Sequence, residues 1–81
     1  MGKTPIDTLT STQCRMARAG LGLSVIEISR VSLVSRATIA RFESGHDIKP
    51  VLRYALRAAF EREGVAFTET GVEITRNKAA S

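Results

Sequence analysis

Tryptophan is absent from this 81-residue chain, and the aromatics amount to three phenylalanines and one tyrosine. A core must therefore be assembled from Leu, Ile, Val and Ala, as in small helical domains. There is one cysteine, Cys14, and one histidine, His46. A single cysteine makes no internal disulfide, and the two residues together are too few ligands for a structural zinc site. No run approaches the roughly 18 apolar residues of a membrane span, and the N-terminus lacks the apolar stretch of a secretory signal. A cytoplasmic protein with no membrane partner is expected. An enzyme is disfavoured too: Cys14 and His46 fall on different elements, no glycine-rich phosphate loop is present, and no carboxylate pair shares a plausible pocket. Nothing implies a cofactor, a metal or a small-molecule ligand.

Acidic residues are scarce where basic ones gather. Residues 15–41 hold five arginines, at positions 15, 18, 30, 36 and 41, against the single acid Glu27, and this segment carries the whole net charge of +4. The segments on either side are neutral. A basic face on a small domain favours a polyanionic partner. A single domain of this length is close to the size at which one core is marginally stable, so association with a second copy is expected.

Apolar spacing and capping residues divide the chain. Residues 1–9 contain Pro5 and no periodicity, and read as a flexible arm. Thr10 with Gln13 forms a capping box that opens a helix running to about Leu21 and stopped by Gly22. Cys14, Ala17 and Leu21 make its inner face. Cys14 there reads as a small core residue, with redox sensing as the other role open to it. Ser24 and Glu27 form a second box, followed by an apolar stripe at Ile28 and Val31. Val34 precedes another cap, Ser35, after which Ile39 and Phe42 face inward while Arg36, Ala37, Ala40 and Arg41 face outward. Two short helices separated by a few residues and closed by Gly45 form a helix-turn-helix signature. Alanines beside arginines suit a helix that must lie close to a nucleic-acid groove and still reach guanine edges or phosphates.

Pro50 then opens a fourth helix over about residues 50–63, with Leu52, Ala55, Leu56, Ala59 and Phe60 on one face and Gly64 as its stop. Short β-branched and aromatic runs at Val65–Thr68 and Val72–Thr75 read as a hairpin. Two strands alone are marginal in water, so they pack either on their own helices or on the same strands of a second subunit. Residues 77–81 read as a disordered tail. Leu56, Phe60, Phe67, Val72 and Ile74 are more apolar than a monomer needs there, and the hairpin offers free edges; they form the expected dimer interface.

The run Gln13-Cys14-Arg15-Met16-Ala17-Arg18, then Leu23-Ser24, then Val34 through Gly45, resembles the Cro/cI (Xre-type) helix-turn-helix regulators of phages and mobile elements. The likeness is tightest over residues 34–45 and looser over residues 12–67, and the small stand-alone form is also similar to the controller proteins of restriction systems. The resemblance implies a mainly α fold, a four-helix lambda-repressor-like helix-turn-helix domain over residues 10–64, with a short C-terminal β-hairpin over residues 65–76. It implies a sequence-specific regulator, an autoregulatory repressor, that binds an inverted repeat in double-stranded DNA as a homodimer. By the same resemblance Ser35, Arg36, Ala37 and Arg41 read bases; Arg15, Thr38, Ser44 and Lys49 contact phosphates; and Arg18 pairs structurally with Glu43. Two positions depart from the pattern. Val25 stands where a Gln contacts a phosphate, and Leu33 stands where Gly is usual in the turn. Either the turn is built differently or Leu33 carries strain on the order of 1 kcal/mol. The competing class is a protein-interaction module, such as an antitoxin or antiactivator, whose partner is another protein.

Overall fold

Three helices start where a short polar side chain takes up a free backbone N–H, and the fourth starts on a proline that has none to satisfy. The computed structural model describes residues 9–75. It forms α1 (Ser11–Leu21), α2 (Val25–Ser32), α3 (Arg36–Glu43), α4 (Pro50–Arg62), β1 (Val65–Phe67) and β2 (Val72–Ile74). Both expected capping boxes are closed. Thr10 Oγ1 accepts from Gln13 N–H at 3.0 Å while Gln13 Oε1 accepts from Thr10 N–H at 3.1 Å. Ser24 Oγ accepts from Glu27 N–H at 3.1 Å, and Glu27 Oε1 accepts from Ser24 N–H at 2.8 Å. Ser35 Oγ caps α3 by accepting from Thr38 N–H at 3.1 Å. α1 ends at Gly22, whose φ of 72° lets its own N–H reach Ala19 O and the Leu23 N–H reach Arg18 O, at 3.1 and 3.0 Å.

The connection from α2 to α3 is Leu33-Val34-Ser35. Leu33 adopts φ 64° and ψ 20°, so the turn uses the left-handed conformation that glycine usually supplies and Leu33 bears the strain. Its side chain is 90% exposed, so no packing offsets that strain. Two serines hold the turn from beneath: Ser29 Oγ donates to Val34 O at 2.6 Å, and Ser32 Oγ accepts from Val34 N–H at 3.2 Å.

The core gathers Cys14, Ala17 and Leu21 of α1, Ile28 of α2, Val34, Ile39 and Phe42 around α3, Leu56, Ala59 and Phe60 of α4, and Val65 of β1. It also includes Leu9, which is 2% exposed; the expected arm over residues 1–9 therefore ends one residue too late. Residues 1–8 of that arm and the tail at residues 77–81 lie outside the described residues. The inner stripe of α2 differs from expectation as well. Val31 is 40% exposed, and Ser32, one turn beyond Ile28, is buried in its place.

β1 and β2 pair antiparallel in the register Val65↔Ile74, Ala66↔Glu73 and Phe67↔Val72. The hairpin packs on its own helices. Phe67 meets Phe60 of α4 edge to face, with ring centroids 6.3 Å apart, and the Arg57 guanidinium lies 5.0 Å from the Phe67 ring centre. On the α1 side, Gln13 Nε2 donates to Thr68 O at 2.8 Å and Gly71 O at 3.1 Å. Ile74 lies so close to Gly20 that a Cβ there would come within 2.9 Å of Ile74 Cδ1. The expected dimer interface must be corrected in consequence. Leu56 and Phe60 are fully buried within the monomer and have no surface to offer a second copy. Phe67 and Val72 are half-buried against the core, which leaves Ile74, at 41% exposure, as the member of that set with substantial free surface. No helix among the described residues is long and apolar enough to cross a membrane.

Candidate nucleic-acid interface

α3 is held from behind by apolar burial and by one carboxylate. Ile39 and Phe42 enter the core, and Glu43, at the last turn, is 9% exposed. Arg18 grips that carboxylate with two hydrogen bonds, Nε to Oε2 at 2.9 Å and Nη2 to Oε1 at 2.8 Å. The Cys14 thiol donates to Oε2 at 3.3 Å, and Arg15 Nη1 donates to the backbone carbonyl of Glu43 at 2.6 Å. Three residues of α1 thus fix the C-terminal end of α3. Burial opposes charge on Glu43, but the hydrogen bonds from Arg18 and Cys14 outweigh it and hold the carboxyl below its usual range. The bond to Glu43 raises the Arg18 pKa in turn. Burial, followed by the charge and hydrogen bond of Glu43, pushes the Cys14 thiol far above its ordinary value. Cys14 is fully enclosed in the core, which is the small-core-residue role expected of it.

The outer face of α3 has a simple layout. At 3.6 residues per turn, Arg36 and Arg41 stand about 140° apart around the helix with Ala40 and Ala37 between them. All four are exposed. Two long cationic arms therefore flank a low, methyl-lined surface, and they are about 7–8 Å apart along the axis. Among the described residues neither guanidinium has a hydrogen bond or an ion pair. That contrasts with Arg18, whose charge is consumed by Glu43.

The remaining expected contacts are more entangled. Ser35 Oγ is the α3 cap and donates to Thr38 Oγ1 at 2.9 Å, so its hydroxyl already serves the helix at both donor and acceptor. Thr38 Oγ1 keeps its own proton free to donate. Ser44 Oγ donates to Arg41 O at 2.9 Å and lies 3.2 Å from His46 Nδ1. Arg15 is exposed, yet it is tied to the end of α3 and, through Nη2, to Thr12 Oγ1 at 3.4 Å. Lys49 is exposed at the start of α4. A groove of about 520 Å³ lined by Thr38, Arg41, Asp47, Ile48, Lys49, Pro50 and Leu52 brings three of these residues, Thr38, Arg41 and Lys49, to one concavity. Asp47, also in this groove and 88% exposed, accepts from Arg53 Nη1 at 2.6 Å and from Ile48 N–H at 3.1 Å, so the Arg53 guanidinium offsets its charge.

Sequence reasoning overlooked the residues that orient these elements: Ser29 and Ser32 under the turn, the reach of Gln13 to the hairpin, and Arg62, whose Nη2 donates to Val31 O at the end of α2 at 3.1 Å. Only the position of Ser32, one turn beyond Ile28, carried a legible signal. Compared with known protein families, curated proteins and solved structures, the chain finds no match. Among the described residues no cluster of His, Cys, Asp and Glu would hold a metal ion.

Proposed function

We propose that the chain is a sequence-specific binder of double-stranded DNA, an autoregulatory repressor that acts as a homodimer on an inverted repeat. In this reading α2 and α3 form a helix-turn-helix pair and α3 lies in the major groove. The observation that carries it is the outer face of α3: two unpaired arginines flanking two alanines, on a helix locked to the body at its far end. The alanines let the helix backbone approach base edges, and each arginine can make the bidentate contact to guanine that its fork geometry favours. Their axial separation matches about two base-pair steps. Thr38 and Lys49 at the adjoining groove, with Arg15 and Ser44 near the other end of the helix, supply phosphate contacts that set register without reading sequence. Repression follows from occlusion of a promoter, and the protein's own concentration is the control variable.

The test starts from duplexes enriched by the chain from a random pool, with binding followed by fluorescence anisotropy. Arg36→Ala should weaken binding to the enriched sequence by roughly 10- to 100-fold, and binding to random duplex by much less. Lys49→Ala should weaken both by similar factors and make the salt slope shallower by about 0.9. A pool that shows no enrichment, or affinity that does not fall with salt, would contradict the proposal. The second reading, a module whose partner is another protein, has one observation in its favour: the exposed apolar side chains Leu33, Val51 and Tyr54. A stoichiometric protein complex together with no duplex enrichment would select it.

A further inference from the structure

The two free arginines leave α3 in different directions. At about 100° per residue, with Arg36 as the origin, Ala40 follows at about 40°, Ala37 at about 100° and Arg41 at about 140°. The midline of this arc falls between the two alanines and points almost directly away from Phe42, which sits in the core at 4% exposure. α3 therefore presents methyl groups forward and one cationic arm to each side. The Ser35 hydroxyl is committed to the helix cap, accepting from Thr38 N–H and donating to Thr38 Oγ1. Among the residues expected to read bases, the two arginines alone bring free side-chain donors.

We infer that each site read by α3 carries two guanines on opposite strands with one base pair between them, so that one strand reads G-N-C or C-N-G. The inference rests on the DNA binding proposed above and names the sequence which that binding selects. An α-helix about 10–12 Å across fills a major groove about 12 Å wide. With the methyl midline on the groove floor, the two arms lean towards opposite backbones. In a G·C pair the guanine N7, with O6 beside it, lies on the side of the guanine's own strand, so each arm finds its pair of acceptors on the strand towards which it leans. Two arms leaning the same way would read one strand; arms about 140° apart read both. Their separation of about 7–8 Å along the axis spans about two rises of 3.4 Å, which leaves a single base pair between the guanines. That base pair faces Ala37 and Ala40, whose side chains have no donor or acceptor, and so it is the position without a hydrogen-bonded letter.

The test uses duplexes enriched by the full chain from a random pool, with affinity read by fluorescence anisotropy and helix content by circular dichroism. The enriched sequence should contain G-N-C or C-N-G. Replacing either guanine with 7-deazaguanine, which loses N7 and keeps its base pairing, should weaken binding by about fivefold or more. Inosine at the same positions keeps N7 and O6 and loses only the minor-groove amino group, so it should change binding by less than about twofold. Each arginine should be coupled to one guanine. Arg41→Ala should abolish the effect of 7-deazaguanine at one position and keep it at the other, and Arg36→Ala should do the reverse, both with unchanged helix signal. Guanines coupled to the two arginines but lying on one strand, or 7-deazaguanine effects that neither variant removes, would overturn the inference and leave the proposed DNA binding standing. A pool without enrichment would overturn both.

Discussion

Leu33 combines two unfavourable features, a left-handed backbone and a bare apolar side chain. The left-handed conformation costs an ordinary L-residue about 1–2 kcal/mol, while a glycine at the same place loses roughly 0.5–1 kcal/mol through its greater freedom when unfolded. Because the side chain is exposed, removing it sacrifices little packing within the monomer. Leu33→Gly should therefore stabilise the chain by about 0.5–1 kcal/mol and raise the melting temperature by several degrees, measured at concentrations low enough to keep the chain monomeric. A lower melting temperature would mean that the leucine packs on its own molecule. The departure at this position was visible in the sequence, because glycine is the residue such turns favour. Which way the backbone resolved it was not, since that depends on how Ser29 and Ser32 fasten Val34 beneath the turn.

Between elements, legibility follows sequence separation. Both capping boxes, the stop at Gly22 and the inner residues of α1, α3 and α4 could be read directly, because each depends on partners within a turn or two. The hairpin could be read as a hairpin, but not what it leans on. Gln13 and Thr68 are 55 positions apart, and nothing in either neighbourhood announces the bond between them. For the same reason Leu56 and Phe60 looked like spare apolar surface, when both are enclosed in the monomer's own core and Phe67 of the hairpin packs on Phe60. Gln13 offers a way to separate its two roles. Glu at this position can still accept from Thr10 N–H and so keep the capping box, but its carboxylate cannot donate to Thr68 O and Gly71 O. Gln13→Glu should leave α1 intact and loosen the hairpin, costing about 0.5–1.5 kcal/mol for the two hydrogen bonds lost, because Thr68 is exposed and Gly71 half-buried and water can reach both acceptors. Native-state hydrogen exchange reads this as faster exchange of the amides in β1 and β2 with those of α1 unchanged. Unaltered hairpin protection would show that strand packing on Phe60 suffices.

Across the whole molecule, the orientation of the proposed reading helix depends on one residue, Glu43, whose carboxylate is held by Arg18 and Cys14 and whose backbone carbonyl is held by Arg15, and the carboxylate gives that dependence a pH signature. Arg18 is 26% exposed and Glu43 9%, so the pair is partly screened by solvent, and losing it by Glu43→Ala should cost about 2 kcal/mol rather than the larger penalty of a fully enclosed pair. The folded state holds the Glu43 carboxyl below its unfolded value. Its contribution is accordingly complete above the unfolded pKa, near 4.3, and disappears as the pH falls through the lower folded value. Glu27, held low chiefly by its bond from the Ser24 backbone, acts in the same direction from the exposed end of α2. Stability measured by urea unfolding should therefore be level at neutral pH and fall between about pH 5 and pH 3. Glu43→Gln keeps a side chain of similar size but cannot take a charge-assisted bidentate bond from Arg18, so it should start lower at pH 7 and fall less. The two curves should converge in acid, where wild-type Glu43 is itself neutral and the difference between the proteins has vanished. Curves that stay parallel from pH 7 to pH 3 would place the acid sensitivity elsewhere and leave the Arg18–Glu43 contact without the energetic role assigned to it.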